Sequence, residues 1–173
     1  MPVQNIEKCR QKKYNFIVDD LGTLERCKDK KCLELVHLKI NTGMNRFGFS
    51  CDDKPTLKKL RLFLKENSVA GISTHFSNLR DRKLTLNQYN KFCKTKKFLK
   101  ADFLTHFGGS GVEKYDFDFD MIRVGLGLYL GEKRVMKIYS SILEIKTLTN
   151  GCVGYEGKFE VTQIGRASCR ERV

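Results

Sequence analysis

Five short runs in this sequence collect residue types that can act on a small anionic ligand. The first is Lys39 with Thr42, Gly43, Met44, Asn45 and Arg46. On a strand through this region Lys39 points away from the face shared by Val36, Leu38 and Ile40. If that face is interior, an unpaired ammonium there is costly and needs an anionic partner; a strand-end lysine reaching solvent fits the pattern equally well. The second run is Ser73-Thr-His75-Phe-Ser77, where a histidine at a strand end can be a ligand, a base or a hydrogen-bonded filler. The third is Thr105-His-Phe-Gly-Gly-Ser110-Gly111. Glycines with a hydroxyl after a strand let backbone N–H groups approach a phosphate closely, although a plain turn has the same composition. The fourth, residues 120–129, puts Arg123 inside an apolar strand followed by Gly125 and Gly127. A buried guanidinium demands a specific acceptor, and the glycines flatten one face so that a ligand can lie against the backbone. An arginine facing solvent from an edge strand is the alternative. The fifth, residues 151–157, carries Tyr155 among glycines, where it is either a hairpin tyrosine or a functional phenol.

These residues fall at or near the ends of segments with strand character, and the order of segments predicts how they are held. Residues 14–18, 33–40, 69–76, 102–107 and 121–129 read as strands. Helices are expected around 23–27, over the run containing Leu57, Leu60 and Leu64 with Pro55 in its first turn, and over the run containing Leu86, Tyr89, Phe92 and Cys93 with Thr85 as N-cap. Alternating strands and helices imply parallel strands joined by crossover helices, which bind ligands at the C-terminal strand ends. After residue 130 two strand-like segments, 136–146 and 153–161, follow with no helix between them and Asn150-Gly151 before the second. That is the start of an antiparallel β unit, with a domain boundary near 131–135.

Composition narrows the classes. The chain has 173 residues, 40% hydrophobic, with 33 Lys+Arg against 20 Asp+Glu. It is long enough for a hydrophobic core, and no apolar run approaches the ~18–20 residues that span a bilayer. The N-terminal residues carry no continuous apolar stretch of the secretory kind. The net charge of +13 invites a nucleic-acid reading, but the lysines are scattered and no nucleic-acid-binding motif accompanies them. Seven cysteines without framework spacing, of which Cys27 and Cys32 lack a matching second pair, indicate reduced thiols rather than disulfides or a metal site. Residues 164–173 break from the preceding pattern and are expected to be a non-native tail; they contain three Arg and one Glu.

The five runs, in their order, resemble bacterial alanine racemases of the PLP-dependent fold-type III class. The resemblance rests on His37-Leu-Lys-Ile-Asn-Thr-Gly-Met-Asn-Arg-Phe-Gly48, Gly71-Ile-Ser-Thr-His-Phe76, Phe119-Asp-Met-Ile-Arg-Val-Gly-Leu-Gly-Leu-Tyr129 and Val153-Gly-Tyr155, and covers about residues 14–163. It implies an α/β fold: residues 1–130 as the later part of a PLP-binding (β/α)8 TIM barrel, and 131–163 as the start of a β-rich C-terminal domain. It implies interconversion of L- and D-alanine by two bases, a lysine and a tyrosine, with pyridoxal 5'-phosphate as cofactor. The product D-alanine would serve peptidoglycan synthesis in the cytoplasm, with alanine as substrate and neither nucleic acid nor membrane as partner.

Residue by residue, the resemblance makes Tyr155 the base on the L-alanine side and His75 the link between it and Arg123. Arg123 takes the pyridine nitrogen of PLP, and Ser110 with the backbone at Gly125 and Leu126 takes the phosphate. Arg46 contacts both the tyrosine and the substrate carboxylate, and Lys39 matches a lysine carbamylated in some members. An always-charged arginine leaves the pyridine nitrogen unprotonated, so the ring is a weaker electron sink that favours reprotonation over decarboxylation. A phenol titrates near 10, so action as a base near neutrality calls for positive charge around it. Tyr155 is expected to serve the opposite protomer of a homodimer. The sequence departs from the family pattern where Gly109 stands for a common asparagine and Asn41 for a common aspartate. The lysine that binds PLP lies on the family's first barrel strand and has no counterpart here. The isolated chain is therefore expected to be inactive, and to fold poorly because an open half-barrel leaves strand edges unpaired. A racemase for another amino acid, a related decarboxylase and a basic nucleic-acid-binding module are the alternatives.

Overall fold

A computed structural model describes residues 3–123, 125, 145–148, 151–153, 155–157, 159–161 and 165–168. In strand β2 (Val36–Asn41), Val36, Leu38 and Ile40 alternate with His37 and Lys39, and both sets are buried. Burial on two faces is the condition of a parallel strand covered by helices on one side and closed over on the other. Strands β1 (Phe16–Val18), β2, β4 (Gly71–His75), β5 (Leu104–Gly108) and β6 (Met121–Arg123) run parallel in that spatial order, and β3 (Phe49–Ser50) pairs with the end of β2. The α/β architecture is that of an incomplete barrel.

Helices α2 (Leu21–Asp29), α3 (Lys54–Glu66) and α4 (Arg82–Leu99) lie between successive strands. Each starts behind an aspartate: Asp20 accepts from Thr23 N–H at 2.7 Å, Asp53 from Thr56 N–H at 3.1 Å and Asp81 from Leu84 N–H at 2.9 Å. Such a cap is worth about 1 kcal/mol. Thr85, expected to cap α4, is instead buried within it and donates its hydroxyl to the Asn78 and Asp81 carbonyls. The helix begins earlier because the Asp81 carboxylate already satisfies an otherwise orphaned N–H. The sequence reading did not include α1 (Val3–Lys12), with its buried Ile6 and half-buried Cys9, or the two-residue β3.

The outward side chains of the sheet, among them Leu38, Ile40, Ile72 and Phe107, form one core with Leu24, Leu57, Leu60 and Phe92 from the helices. Phe107 anchors it, with ring centroids 5.1 Å from Phe92 and 5.3 Å from Phe76. The cysteines among the described residues are free, and burial pushes the Cys27 thiol up to about 12. No helix among the described residues is long and apolar enough to cross a membrane.

Beyond β6 the pairing among the described residues is antiparallel. Strand β8 (Gly151–Val153) pairs with β9 (Phe159–Val161), and β7 (Ile145–Leu148) pairs with β10 (Gly165–Ser168). The continuous strand expected over 153–161 is interrupted by a tight turn, Tyr155–Gly157, where Glu156 takes φ 59°. Two strands closing on each other need that reversal, and it sets Tyr155 at the hairpin tip. Strand β10 falls within the segment expected to be a tail. Leu126, the rest of the strand expected over 121–129, and 136–144 lie outside the described residues.

Candidate active site

All three histidines of the chain point to the inner face of the sheet. Parallel register stacks the inner residues in rows: His37 beside Gly71, Lys39 beside Ser73 and His106, and His75 beside Gly108 and Arg123. The glycines make the rows possible. A Cβ at Gly71 would overlap the His37 ring, and one at Gly108 would overlap His75 Nδ1 and lie 2.6 Å from Arg123 Nη2. At Gly108 two bulky polar side chains share the place where the strand contributes none, and at Gly71 the His37 ring fills it.

Arg123 is held from two sides. Nη2 donates to the Thr74 carbonyl at 3.1 Å, while Nη1 meets His106 Nδ1 and lies 3.4 Å from the His106 carbonyl. A guanidinium only donates, so His106 Nδ1 accepts and its proton sits on Nε2. That nitrogen lies 2.8 Å from His37 Nδ1, which must accept in turn, leaving His37 protonated at Nε2. The arginine thus dictates the tautomers of two buried imidazoles. Burial, with Arg123 and the neighbouring His37 and Lys39, holds His106 down to about 3, and burial and Arg123 lower His37 as well, so both rings are neutral. Burial and Arg46 lower Arg123 itself to about 10, so it keeps its charge at neutral pH.

His75, on the adjoining strand, meets the hairpin tip. Its Nε2 lies 3.0 Å from Tyr155 Oη, and the Arg46 guanidinium stands 5.9 Å from the centre of the Tyr155 ring. Burial, Lys39, Arg46 and Arg123 hold His75 down to about 3, so it too is neutral. Three further contacts seat the tip. Glu156 N–H donates to the Ser77 carbonyl at 3.0 Å, Asn45 Nδ2 donates to the Cys152 carbonyl at 3.1 Å, and Arg80 approaches the Glu156 carboxylate at 4.0 Å. Tyr155 remains 42% exposed, so its hydroxyl stands at the open end of the strands rather than in the core. These contacts lie within one chain, whereas the resemblance places the tyrosine in the opposite protomer's site.

Lys39 is only 4% exposed, with Nζ 5.7 Å from the Phe47 ring centre. The anionic partner expected for it is not found: no carboxylate among the described residues lies in ion-pair range of Nζ. The physical answer is different. Burial together with Arg123 and Arg46 drives its pKa well below the ordinary lysine range, disfavouring the charged form. Around the Tyr155–His75 contact the site therefore offers two guanidiniums, three neutral imidazoles and a buried amine, a set suited to an anionic ligand and to proton transfer at a phenol.

The structure brings Tyr155, His75, Arg46, Arg123 and Lys39 together at one end of the sheet. Ser110 lies in the loop after β5, between Gly109 and Gly111 with φ 128° and 111°, and Gly125 has open space where a side chain would be. The Gly111 N–H donates to the Glu113 carboxylate at 2.8 Å. Sequence reasoning did not nominate His37 or His106. Their shared i, i+2 alternation with Lys39 and Gly108 was the available signal; its meaning depended on strands distant in sequence becoming neighbours.

The chain is similar to known proteins over most of its length. The sequence model described as "Alanine racemase, N-terminal domain" matches residues 1–133. The alanine racemase of Thermodesulfovibrio yellowstonii is 33% identical over 133 residues, covering 72% of this chain and 36% of the relative. That of Borreliella burgdorferi strain ZS7 is 28% identical over 170 residues, 87% of this chain and 44% of the relative. The chain thus spans less than half the length of these relatives. Among solved structures, alanine racemase from Oenococcus oeni superposes with a TM-score of 0.61 at 26% identity, over 75% of this chain and 41% of that one. The Bartonella henselae alanine racemase with covalently bound pyridoxal phosphate gives a TM-score of 0.62 at 22% identity over 97% of this chain and 52% of that one, a likeness of fold.

Proposed function

Because the chain belongs to the family defined by the alanine racemase N-terminal domain, we propose that it is a segment of an enzyme interconverting L- and D-alanine with pyridoxal 5'-phosphate. The contact carrying this reading is Tyr155 Oη to His75 Nε2 at 3.0 Å, set beside Arg46 and Arg123. The residues fit the cofactor on a structural criterion. Gly108 lacks the Cβ that would collide with Arg123 and His75, and the loop N–H at Gly111 donates to a carboxylate oxygen of Glu113. Arg123 would face the pyridine nitrogen, and Ser110 with the backbone at Gly125 and Leu126 would hold the phosphate. When bound, PLP supplies the electron sink that makes the α-proton of alanine removable.

The chain's own residues supply the rest. Tyr155 Oη takes or returns the α-proton on the L face, and His75 Nε2 holds that oxygen in place. Arg46 binds the substrate carboxylate beside the phenol, using a bidentate donor where lysine would offer a point charge. A lysine from a first barrel strand supplies the opposite base in the whole enzyme. Lys39, as a buried amine with a depressed pKa, suits carbamylation, which would give Arg46 an anionic neighbour.

We read residues 1–130 as the later part of the barrel, 131–163 as the opening of the β-rich domain and 164–173 as a non-native tail. The whole enzyme would work in the cytoplasm, free of nucleic acid and membrane, supplying D-alanine for peptidoglycan. It would be a homodimer whose subunits exchange the Tyr155 hairpin. Mixing His75→Ala and Tyr155→Phe subunits of the whole enzyme tests the exchange: trans delivery restores one working site per mixed dimer, and cis delivery restores none.

The activity is tested by following α-deuterium incorporation into each alanine enantiomer in D2O. The whole enzyme should exchange both, with serine and lysine exchanging poorly. Tyr155→Phe should lose exchange from L-alanine by about 10²-fold or more. Unchanged exchange would overturn the assignment. The present chain with PLP should not racemise alanine, and measurable racemisation by residues 1–163 would overturn the need for a second base from outside it.

A further inference from the structure

The hairpin that carries Tyr155 is tied to the end of β2 by two asparagines whose hydrogen bonds run in one direction. Asn41 Oδ1 accepts from two backbone donors, Gly43 N–H at 3.1 Å and Asn45 N–H at 3.0 Å. Backbone N–H groups cannot accept, so the Asn41 oxygen faces them and its amide nitrogen points the other way, onto Asn45 Oδ1 at 3.0 Å. With its oxygen so occupied, Asn45 turns its own amide nitrogen to the Cys152 carbonyl at 3.1 Å. Each link matches a donor to an acceptor, and both ends are anchored on backbone groups of invariant polarity. The backbone of Asn45 supports this, with φ 56°, a left-handed conformation that asparagine tolerates better than most residues.

We propose that Asn41 and Asn45 are positioning residues that seat the Tyr155 hairpin against His75, within one chain as seen here and between subunits where the hairpins are exchanged, and that the device requires an amide, not a carboxylate, at position 41. An aspartate there would still accept from Gly43 and Asn45 N–H, but would present a second acceptor to Asn45 Oδ1. Asn45 would then rotate to donate to it, bringing its oxygen against the Cys152 carbonyl. Two acceptors cannot bond, so the hairpin loses its tie to β2 while the turn at 41–45 survives. The inference rests on Tyr155 being the proton-exchanging phenol, but the docking it describes is measured without any reaction.

The test is site-resolved amide hydrogen exchange on the full chain, reading the Glu156 N–H bound to the Ser77 carbonyl. Asn41→Asp, nearly isosteric, should expose that amide about five- to tenfold more, the worth of one hydrogen bond. The Gly43 and Asn45 amides should keep their protection, because their acceptor remains. Asn45→Gly removes the side chain while retaining the left-handed backbone, and should match the effect. The double variant should be no worse than Asn45→Gly, since both cut one path. Asn67→Ala, which breaks an asparagine-to-carbonyl bond at the end of α3, should leave Glu156 unaffected. Unchanged Glu156 exchange in either single variant would overturn the proposal. So would additive effects in the double variant, or loss of protection spread equally over β4 and β5, which would make the asparagines general stabilisers. Failure of alanine exchange in the whole enzyme with these results intact would count against the catalytic reading alone.

Discussion

His106 Nε2 lies 2.8 Å from His37 Nδ1, and Arg123 on the opposite edge of the His106 ring sets the direction of that bond. The site thus rests on a buried polar chain in which a side chain that can only donate dictates two tautomers. Replacing His106 by leucine should leave both Arg123 and His37 short of a buried partner. We expect a stability loss of about 2–6 kcal/mol in urea denaturation, from two groups at ~1–3 kcal/mol each. His106→Gln, which can accept from Arg123 and donate to His37, should recover most of it. Equal losses in both variants would show that ring packing, not hydrogen bonding, sets the cost.

Stability should fall as the pH is lowered. His75 and His106 are held down to about 3 in the folded chain, chiefly by burial, whereas an unfolded histidine titrates near 6.5. Below that value the unfolded state binds more protons, so each ring withdraws stability progressively until the pH reaches its folded pKa. Between pH 7 and 5 the loss should be roughly 2 kcal/mol per histidine. Denaturation midpoints measured across this range should flatten by about one histidine's share in His106→Gln. An unaltered slope in that variant would refute the assignment.

Gly108→Ala tests the shared space between His75 and Arg123. The added methyl would overlap His75 Nδ1 and sit 2.6 Å from Arg123 Nη2, and the strand backbone cannot retreat from both. Overpacking of this kind costs about 1–3 kcal/mol. The accompanying sign should be loss of the His75–Tyr155 contact, read as faster exchange at Glu156.

Lys39→Met should stabilise the chain at neutral pH in bicarbonate-free buffer. Burial and the nearby Arg123 and Arg46 depress the lysine, so the unfolded state binds more protons up to the ordinary lysine range. That penalty is present at pH 7, fades as the pH rises towards 10 and is absent in the variant. A thioether of similar volume removes it, with an expected gain of about 1–3 kcal/mol. A Lys39→Met chain less stable than the parent at pH 7 would mean that an anion already compensates the amine.

Much of the site was legible because strand alternation is local. Lys39 falls on the face opposite Val36, Leu38 and Ile40, and Arg123 stands out in an apolar run, so both could be named before any neighbour was known. Thr85 was misread as a cap because hydroxyls and carboxylates both cap helices, and only the placement of the Asp81 carboxylate chose between them. At Tyr155–Gly157 the sequence is compatible both with a continuous strand over 153–161 and with a hairpin tyrosine, because glycines suit either.

The sequence by itself determined the alternation of strands and helices, the placement of chemically capable residues near strand ends, and the family whose order of motifs they follow. Local periodicity and residue chemistry suffice for that. Which of those residues touch is settled by strand register and hairpin docking. Register between β2, β4, β5 and β6 put His37 against His106 and His106 against Arg123, and docking of the β8–β9 hairpin put Tyr155 on His75. Such contacts join residues as far apart as 75 and 155, and their hydrogen-bond direction is a property of the pair. No single residue's type encodes it.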